Sequence, residues 1–310
     1  MTVYQHISTF AGLPVREFTA ELEIPDDPQA VAWRISTDYD GGDVVFDQLL
    51  TAFVATPWAD RVRALVIGEW GNSYENDAPI DKLIAAADRL PGLTALFLGE
   101  MVSEENEISW IQQGDVSPLL TAYPRLEVLR VRGADGLMLS PVRHESLREL
   151  AFESGGLPAT IVRAVVECEF PELRHLELWL GTDNYGGAAT VEDLAPVLAG
   201  TGWPHLQYLG LRDSEIADQI AEALAGAPVV ARLTTLDLSL GLLSDVGAGA
   251  LLAGQPLTHL RKLDLHHHFL TEEMSARLRD ELEPFGVEVD LSEAEGADGD
   301  LEDRFIAVSE

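Results

Sequence analysis

The sequence predicts an α/β solenoid, in which short parallel strands alternate with helices and each repeat packs on the next. Three observations predict it. The pattern L-x-x-L-x-L, with valine, isoleucine or phenylalanine at some positions, occurs eight times in order. Its starts are separated by 31, 33, 21, 26, 33, 27 and 27 residues, and helical patterns fill the intervals. Internal periods of about 20 to 50 residues are typical of repeat architectures.

Each strand follows from the alternation inside one segment. The second and third apolar positions alternate with other residues, so one face of a short strand is buried. The eight segments begin at Val62, Leu93, Leu126, Leu147, Leu173, Leu206, Leu233 and Leu260.

Helices are predicted between the strands. Residues 216–224 and 274–282 carry helical apolar patterns, and three segments rich in alanine and leucine end in glycine, as a helix ends in a turn. Those three segments are 191–200, 218–226 and 245–254.

The ends of the chain differ from the repeats, and three regions are expected. Residues 1–29 are an N-terminal cap, because an open solenoid end would expose leucines. Residues 30–291 are the solenoid, with a degenerate first repeat around Trp33 and a helix over 46–54. Residues 292–310 are an acidic linker and a C-terminal tail. The apolar residues 305–308 are expected to dock in cis or on a partner, or to be disordered, and the sequence leaves these alternatives open.

These segments resemble the leucine-rich-repeat superfamily, and their long, helix-bearing repeats resemble its ribonuclease-inhibitor-like class. The chain also resembles a bacterial leucine-rich-repeat family of unknown function, whose members are often encoded near biosynthetic enzymes. The resemblance implies a horseshoe with parallel strands on the concave face and helices on the convex face. One feature departs from the superfamily, because the asparagine or cysteine usual after the last strand leucine is missing. Those positions hold Met101, Ala134, Gly155, Gly181, Ser214, Gly241 and His268.

The charge is strongly acidic, with 53 Asp and Glu against 20 Lys and Arg and a net charge of −33. Such a surface repels nucleic acid and anionic membranes and favours basic partners or cations. A salt-adapted protein would show the same excess. Cys168 is the single cysteine, and neither a signal peptide nor a transmembrane segment is visible, so we expect a cytoplasmic protein. Arginine in place of lysine and abundant Ala, Gly and Leu suggest a bacterial source.

The residues between the strand leucines are expected on the concave face. Aromatic residues and arginines are enriched at the energetic centres of protein interfaces, so we expect a partner-binding surface there rather than an ordinary solvated sheet face. The N-terminal part of this face is small and apolar and is expected to be covered, by the first segment or by the tail. The predicted partner-binding residues are Arg130, Arg132, His175, Glu177, Trp179, Tyr208, Arg212, Asp237 and Asp264.

The C-terminal part of the face is acidic and offers an alternative. Asp237, Asp264, His266 and Asp290 are candidate ligands of a divalent metal, since carboxylate oxygens and imidazole together suit such an ion. In this interpretation Glu288 continues the row of Asp237 and Asp264, and Asp290 lies beside His266. The other interpretations are a solvated cluster or one that accepts a partner's Arg or Lys.

The function predicted is a non-enzymatic protein-binding scaffold without a cofactor, for a basic protein or peptide or a neighbouring biosynthetic enzyme. The alternative is a metal-binding protein or a metal-dependent hydrolase. The sequence contains no phosphate-binding G-x-x-x-x-G-K-[ST] loop and no nucleophile–base pairing that spacing supports. Polar loops at 69–77, 103–110 and 181–187 form a second possible binding surface, or simply accommodate irregular repeats. The oligomeric state is left open.

Overall fold

Short parallel strands follow one another in chain order, one for each repeat segment. The computed structural model describes residues 3–19, 27–38, 42–296 and 304–310. These residues divide into two compact units: an N-terminal unit of residues 3–153 with 167–171, and a C-terminal unit of residues 154–166 and 172–309, apart from the gaps. Both alternate strands and helices, which confirms the predicted α/β repeat solenoid.

The N-terminal unit contains seven strands among its described residues. β1 and β2 form an antiparallel hairpin, and β2 to β7 pair in parallel, each with the next. The strands are β1 (Thr9–Phe10), β2 (Leu13–Glu17), β3 (Ala32–Ile35), β4 (Ala64–Ile67), β5 (Ala95–Leu98), β6 (Val128–Arg132) and β7 (Glu149–Glu153). The helices are α1 (Gly42–Ala55), α2 (Ile80–Ala85) and α3 (Ser117–Ala122).

The C-terminal unit has the same plan. Its strands are β8 (His175–Gly181), β9 (Tyr208–Ser214), β10 (Thr235–Asp237), β11 (Lys262–Asp264) and β12 (Glu288–Asp290), paired in parallel in that order. Its helices are α4 (Ala159–Glu167, of which residues 159–166 belong to this unit), α5 (Val191–Ala199), α6 (Ala217–Leu224), α7 (Asp245–Ala253) and α8 (Glu272–Leu282). Each predicted helix therefore forms within a few residues of its expected bounds.

The register aligns the repeat leucines, which are buried against the helices. Leu209, Leu236 and Leu263 pair in sequence across β9, β10 and β11. We call the face of each sheet that lies opposite these leucines the inner face. Residues on either side of each of these leucines lie on the inner face, as the alternation predicts.

The last strand is the exception to the predicted register. Asp290 pairs with Asp264, and Glu288 pairs with Lys262. The expectation that Glu288 continues the row of Asp264 is therefore wrong by two residues. The reason is Leu291, which is buried after Asp290 as Leu265 is after Asp264, so the segment aligns on its larger apolar residue.

The hairpin of β1 and β2 covers the inner face of the N-terminal unit. Phe10 is buried with Ala64, Val66 and Ala95, and its ring lies 5.8 Å from that of Phe97. This confirms that the first segment covers the small apolar part of the face.

The hairpin is also fixed by polar contacts to Glu100. The backbone N–H of Ile7 donates to Glu100 Oε1 at 3.0 Å, and Arg34 Nε lies 2.8 Å from Glu100 Oε2. Glu100 is fully buried, and the ion pair with Arg34 balances its charge.

The C-terminal tail docks in cis, which is one of the alternatives that the sequence leaves open. Ile306, Ala307 and Val308 are buried in the C-terminal unit. The N–H of Ala307 donates to the carbonyl of Leu240 at 2.8 Å, and the N–H of Val308 donates to Asp213 Oδ1 at 2.9 Å. Among the ranges that the structure describes, no helix combines the length and apolar character needed to cross a bilayer.

Candidate functional site

Glu177 is the central acceptor on the inner face of the C-terminal unit. Its Oε1 accepts hydrogen bonds from Trp179 Nε1 at 2.7 Å and Arg212 Nη1 at 2.8 Å. Its Oε2 lies 3.2 Å from His175 Nε2. The carboxylate is buried, so these partners replace the water that would otherwise solvate it.

Arg212 joins Glu177 to the next strand. Its Nε donates to Ser239 Oγ at 2.9 Å and lies 3.4 Å from Asp237 Oδ2. Its Cζ lies 5.0 Å from the centre of the Trp179 ring, within cation–π distance. Burial lowers the pKa of Arg212, but the carboxylates of Glu177 and Asp237 outweigh burial and raise that pKa above its ordinary value. Arg212 is therefore a fixed positive charge.

Tyr208 presents an aromatic surface beside this network. Its ring stacks on His175, with 3.7 Å between centroids and 3° between planes. Its hydroxyl donates to Asp237 Oδ2 at 2.7 Å. Burial, with the nearby charges of Glu177 and Asp237, raises the pKa of Tyr208 well above its ordinary value, so the hydroxyl keeps its proton and remains a donor. Both rings are half-buried and thus partly accessible.

Four residues of β11, β12 and the turn after β11 form a second group, which we call the acidic cluster: Lys262, Asp264, His266 and Asp290. Asp264 Oδ1 bonds His266 Nδ1 at 2.7 Å, and Asp264 Oδ2 lies 2.8 Å from Lys262 Nζ. Lys262 Nζ also donates to Asp290 Oδ2 at 3.3 Å. The cluster therefore holds its own cation between two carboxylates.

The cluster shifts the pKa values of its members. Burial raises the pKa of Asp264, but hydrogen bonds from His266 and Lys262 outweigh burial and hold that pKa below its usual range. The same bond to Asp264 raises the pKa of His266. Asp264 thus stays ionised, and His266 is protonated over a wider pH range than an isolated histidine.

Three of the predicted metal ligands lie close together. Asp264, His266 and Asp290 each offer one ligand atom, and these atoms lie within 4.8 Å of one another. Two oxygens and one imidazole nitrogen suit a divalent cation. A metal would have to displace the Lys262 ammonium. Asp237, the fourth predicted ligand, is held instead by Tyr208, Ser239 and Arg212.

Arg130 and Arg132 lie on the inner face of the N-terminal unit and are paired within it. Arg132 Nε bonds Glu153 Oε2 at 2.7 Å, and Arg132 Nη1 donates to the carbonyl of Met101 at 2.6 Å. Arg130 Nη1 bonds Glu153 Oε1 at 2.8 Å. Both guanidinium groups lie within 6 Å of the Phe97 ring, at 5.8 and 5.2 Å. The two arginines therefore stabilise the unit's own buried Glu153.

Sequence reasoning missed three residues that organise these contacts. Lys262 and Ser239 lie on the same face as the predicted residues. Each is two residues from an aspartate on that face, and this spacing could have identified them. His268 replaces the usual asparagine, because its Nδ1 accepts the N–H of Leu270 at 3.1 Å inside the turn. The sequence offers no direct signal for that role of a histidine.

Comparison with known proteins supports the fold. No protein-family model matches the sequence, and neither does any curated protein. A Bacteroides fragilis protein solved by a structural genomics consortium is similar, with a TM-score of 0.78 and 25% identity over 89% of this chain and 76% of that chain. An internalin (inlF) from Listeria monocytogenes has a TM-score of 0.35 and 15% identity over 79% of this chain and 57% of that chain. The first likeness extends over most of both chains.

Proposed function

We propose that the protein is a non-enzymatic scaffold that binds a basic protein or peptide through the inner face of its C-terminal unit and the adjoining loops. One observation carries the proposal. The inner face of β8–β12 holds five carboxylates and two side chains that are always cationic, beside a partly accessible aromatic stack. The carboxylates belong to Glu177, Asp237, Asp264, Glu288 and Asp290, and the cations to Arg212 and Lys262.

Binding begins with electrostatic attraction. The net charge of −33 raises the encounter rate with a basic surface, and the excess of carboxylates on the inner face selects the docking position. The His175–Tyr208 stack then supplies a flat aromatic contact. Glu288, with 72% of its side chain exposed, is the carboxylate best placed to meet a partner's cation.

The proposal assigns no chemistry to this network, in which the polar side chains bond one another. Glu177 accepts hydrogen bonds from Trp179 and Arg212, and the Tyr208 hydroxyl donates to Asp237. The ribonuclease-inhibitor-like class, a cytoplasmic location and a biosynthetic enzyme as partner belong to the same proposal, supported by the repeat length, the single cysteine and the acidic charge.

The test compares charge reversal on two sides of the unit. A partner is captured from the host at low salt, purified and titrated against wild type, Glu288→Lys and Glu222→Lys. Glu222 is an exposed residue of α6, on the helical side. Glu288→Lys should weaken binding about tenfold and flatten its salt dependence, whereas Glu222→Lys should have a small effect. Equal effects of the two variants would show that net charge alone matters and would refute the inner face as the docking site.

A second candidate function is binding of a divalent metal, as a metal-binding protein or a metal-dependent hydrolase. The convergence of Asp264, His266 and Asp290 within 4.8 Å favours it, and the Lys262 ammonium opposes it. Calorimetric titration of untagged protein with Zn²⁺ or Mn²⁺ tests it. This function requires about one equivalent bound by wild type and none by Asp264→Ala. Absence of binding to wild type would exclude it.

A further inference from the structure

Two loops of the N-terminal unit concentrate negative charge. Residues 69–79 connect β4 to α2, and residues 99–116 connect β5 to α3. Together they contain eight Asp and Glu and no Lys or Arg. Glu75, Asp77, Glu104 and Glu107 among them are exposed. The loops therefore complement a positively charged group.

The loops are fixed to one another by hydrogen bonds through Ser73. The carbonyl of Ser73 accepts the N–H of Gln112 at 2.9 Å, and its Oγ accepts Asn106 Nδ2 at 2.8 Å. Buried Glu69 accepts the N–H groups of Gly71 and Ser73 at 2.7 and 3.0 Å. Tyr74 is thus presented from a turn that is already ordered, which reduces the entropy lost on binding.

An exposed aromatic pair bridges the two loops. The Tyr74 and Trp110 rings lie 5.7 Å apart at 48°, although the residues are 50% and 41% exposed. Glu75 follows Tyr74 directly, and the N–H of Trp110 donates to the carbonyl of Glu107 at 3.0 Å. Two exposed aromatic rings on loops rich in carboxylates attract a planar cation by cation–π and ionic interactions together.

A groove of about 360 Å³ is lined in part by residues of the same two loops. Its lining includes three carboxylates, those of Asp77, Asp81 and Asp115, over an apolar surface that includes Ile80 and Met138. Lys82 also lines the groove, but its ammonium pairs with Asp47. Asp77, which lines the groove, lies three residues after Tyr74 in the same loop. We call Tyr74, Trp110 and this groove the loop surface.

We propose that the loop surface binds an arginine-bearing segment of a basic protein, with a guanidinium on Tyr74 and Trp110 and the following residues along the groove. Arginine is favoured over lysine because its planar, weakly hydrated guanidinium stacks on aromatic rings and bonds carboxylates in a bidentate manner. The loop surface shares no residue with the inner face of the C-terminal unit. Binding at the loop surface is therefore independent of the function proposed above.

The test uses two peptides of equal charge, labelled hexa-arginine and hexa-lysine, titrated into the full chain by fluorescence anisotropy. Wild type should bind hexa-arginine about fivefold more tightly than hexa-lysine. Tyr74→Ala/Trp110→Ala should bind the two peptides equally. Phe285→Ala, which removes an exposed aromatic residue of the C-terminal unit, should keep the preference.

Two further variants separate this site from other effects. Tyr74→Leu/Trp110→Leu keeps apolar side chains and should also lose the preference, which guards against unfolding of the alanine variant. Glu288→Lys should keep the preference even if it abolishes binding at the inner face. Equal binding of both peptides to wild type, or a preference that survives both aromatic double variants, would overturn the proposal.

Discussion

The side-chain Oδ1 of Asp213 in β9 accepts the backbone N–H of Val308 at 2.9 Å, across 95 positions of the chain. Asp213 is fully buried and adopts a left-handed conformation with φ of 51°. Leu240 and His267, each 27 residues further on, share that conformation with φ of 69° and 55°. Leu240 accepts the N–H of Ala307, and His267 Nε2 lies 3.3 Å from the carbonyl of Phe305. Three successive repeats thus contribute one polar contact each to the tail.

The Asp213 contact predicts an unusual dependence of stability on pH. Burial raises the pKa of Asp213 well above 3.8, outweighing the opposing effects of the Val308 N–H and Arg212. The pKa of Asp213 is therefore higher in the folded protein than in the unfolded chain. The stability that the protonated side chain contributes is complete below about pH 3.8 and is lost as the pH rises through the pKa of the folded protein. Asp213→Asn cannot ionise, so its stability relative to wild type should increase with pH. Urea unfolding from pH 4 to 8 measures this difference, and a constant difference would contradict it.

Tail docking is predicted to stabilise the C-terminal unit through Ile306. This residue is 4% exposed, whereas its neighbour Phe305 is 63% exposed. Ile306→Ala should lower the free energy of unfolding by about 2 to 4 kcal/mol. Phe305→Ala is the matched control and should change it by less than about 0.5 kcal/mol. Similar losses in urea unfolding for the two variants would show that the tail does not dock in this orientation.

Removal of the Glu177 charge should lower the free energy of unfolding, because the carboxylate is buried beside its hydrogen-bond partners. Glu177→Gln leaves Arg212 without its closest carboxylate, and breaking a buried pair costs about 3 to 5 kcal/mol. Glu172→Gln is the control, since its exposed pair with Arg174 at 3.8 Å contributes about 0 to 1 kcal/mol. Chemical denaturation of both variants tests the difference. A small effect at Glu177 would mean that water replaces its lost contacts.

Because the β1–β2 hairpin packs on the inner face, truncation of Phe10 should strongly reduce stability. Phe10→Ala removes a ring that packs on Phe97 and should cost about 3 kcal/mol. Thr9→Ala, at the exposed neighbouring position, should cost far less. Hydrogen exchange of the β2 amides should accelerate in Phe10→Ala alone. Unchanged protection in that variant would contradict packing of the hairpin on the inner face.

His266 is predicted to titrate above its ordinary value of 6.5 because it bonds Asp264. Its folded pKa is raised, so the stability from this pair is complete below about 6.5 and is lost as the pH rises through the folded pKa. His267 is the internal reference, since burial lowers its pKa. NMR titration should show His266 titrating above His267, and Asp264→Asn should bring the pKa of His266 down. An unshifted His266 in that variant would exclude the pairing.

Much of the fold was predictable because its information is local. The L-x-x-L-x-L segments specify which face of each strand is buried, and the apolar spacing of residues 46–54 identifies α1 to within a few residues. The same alternation identifies which residues lie on the inner face. The pairing register of β12 was not predictable, because Val287, Val289 and Leu291 allow two alignments with β11 that differ by two residues. Packing of Leu291 selects between them.

The sequence predicted which face the candidate residues lie on, but it did not predict their side-chain contacts. The alternation placed Trp179, Tyr208 and Arg212 on one face, where they were expected to meet a partner. The structure instead buries Trp179 under the guanidinium of Arg212, and Glu177 bonds both. That arrangement depends on strands whose residues are 35 positions apart, and side-chain pairing across strands leaves no periodic trace in the sequence.

The sequence by itself determined the repeat, the strand faces, the helices and the acidic charge, because each depends on residues within one turn, one strand or the summed composition. Tertiary structure alone decided that the first segment covers one inner face, that the tail docks in cis, and that Lys262 lies between two carboxylates. Those outcomes depend on which distant side chains meet after folding. Burial then sets their charge and their hydrogen bonds, as it does where Asp213 meets Val308.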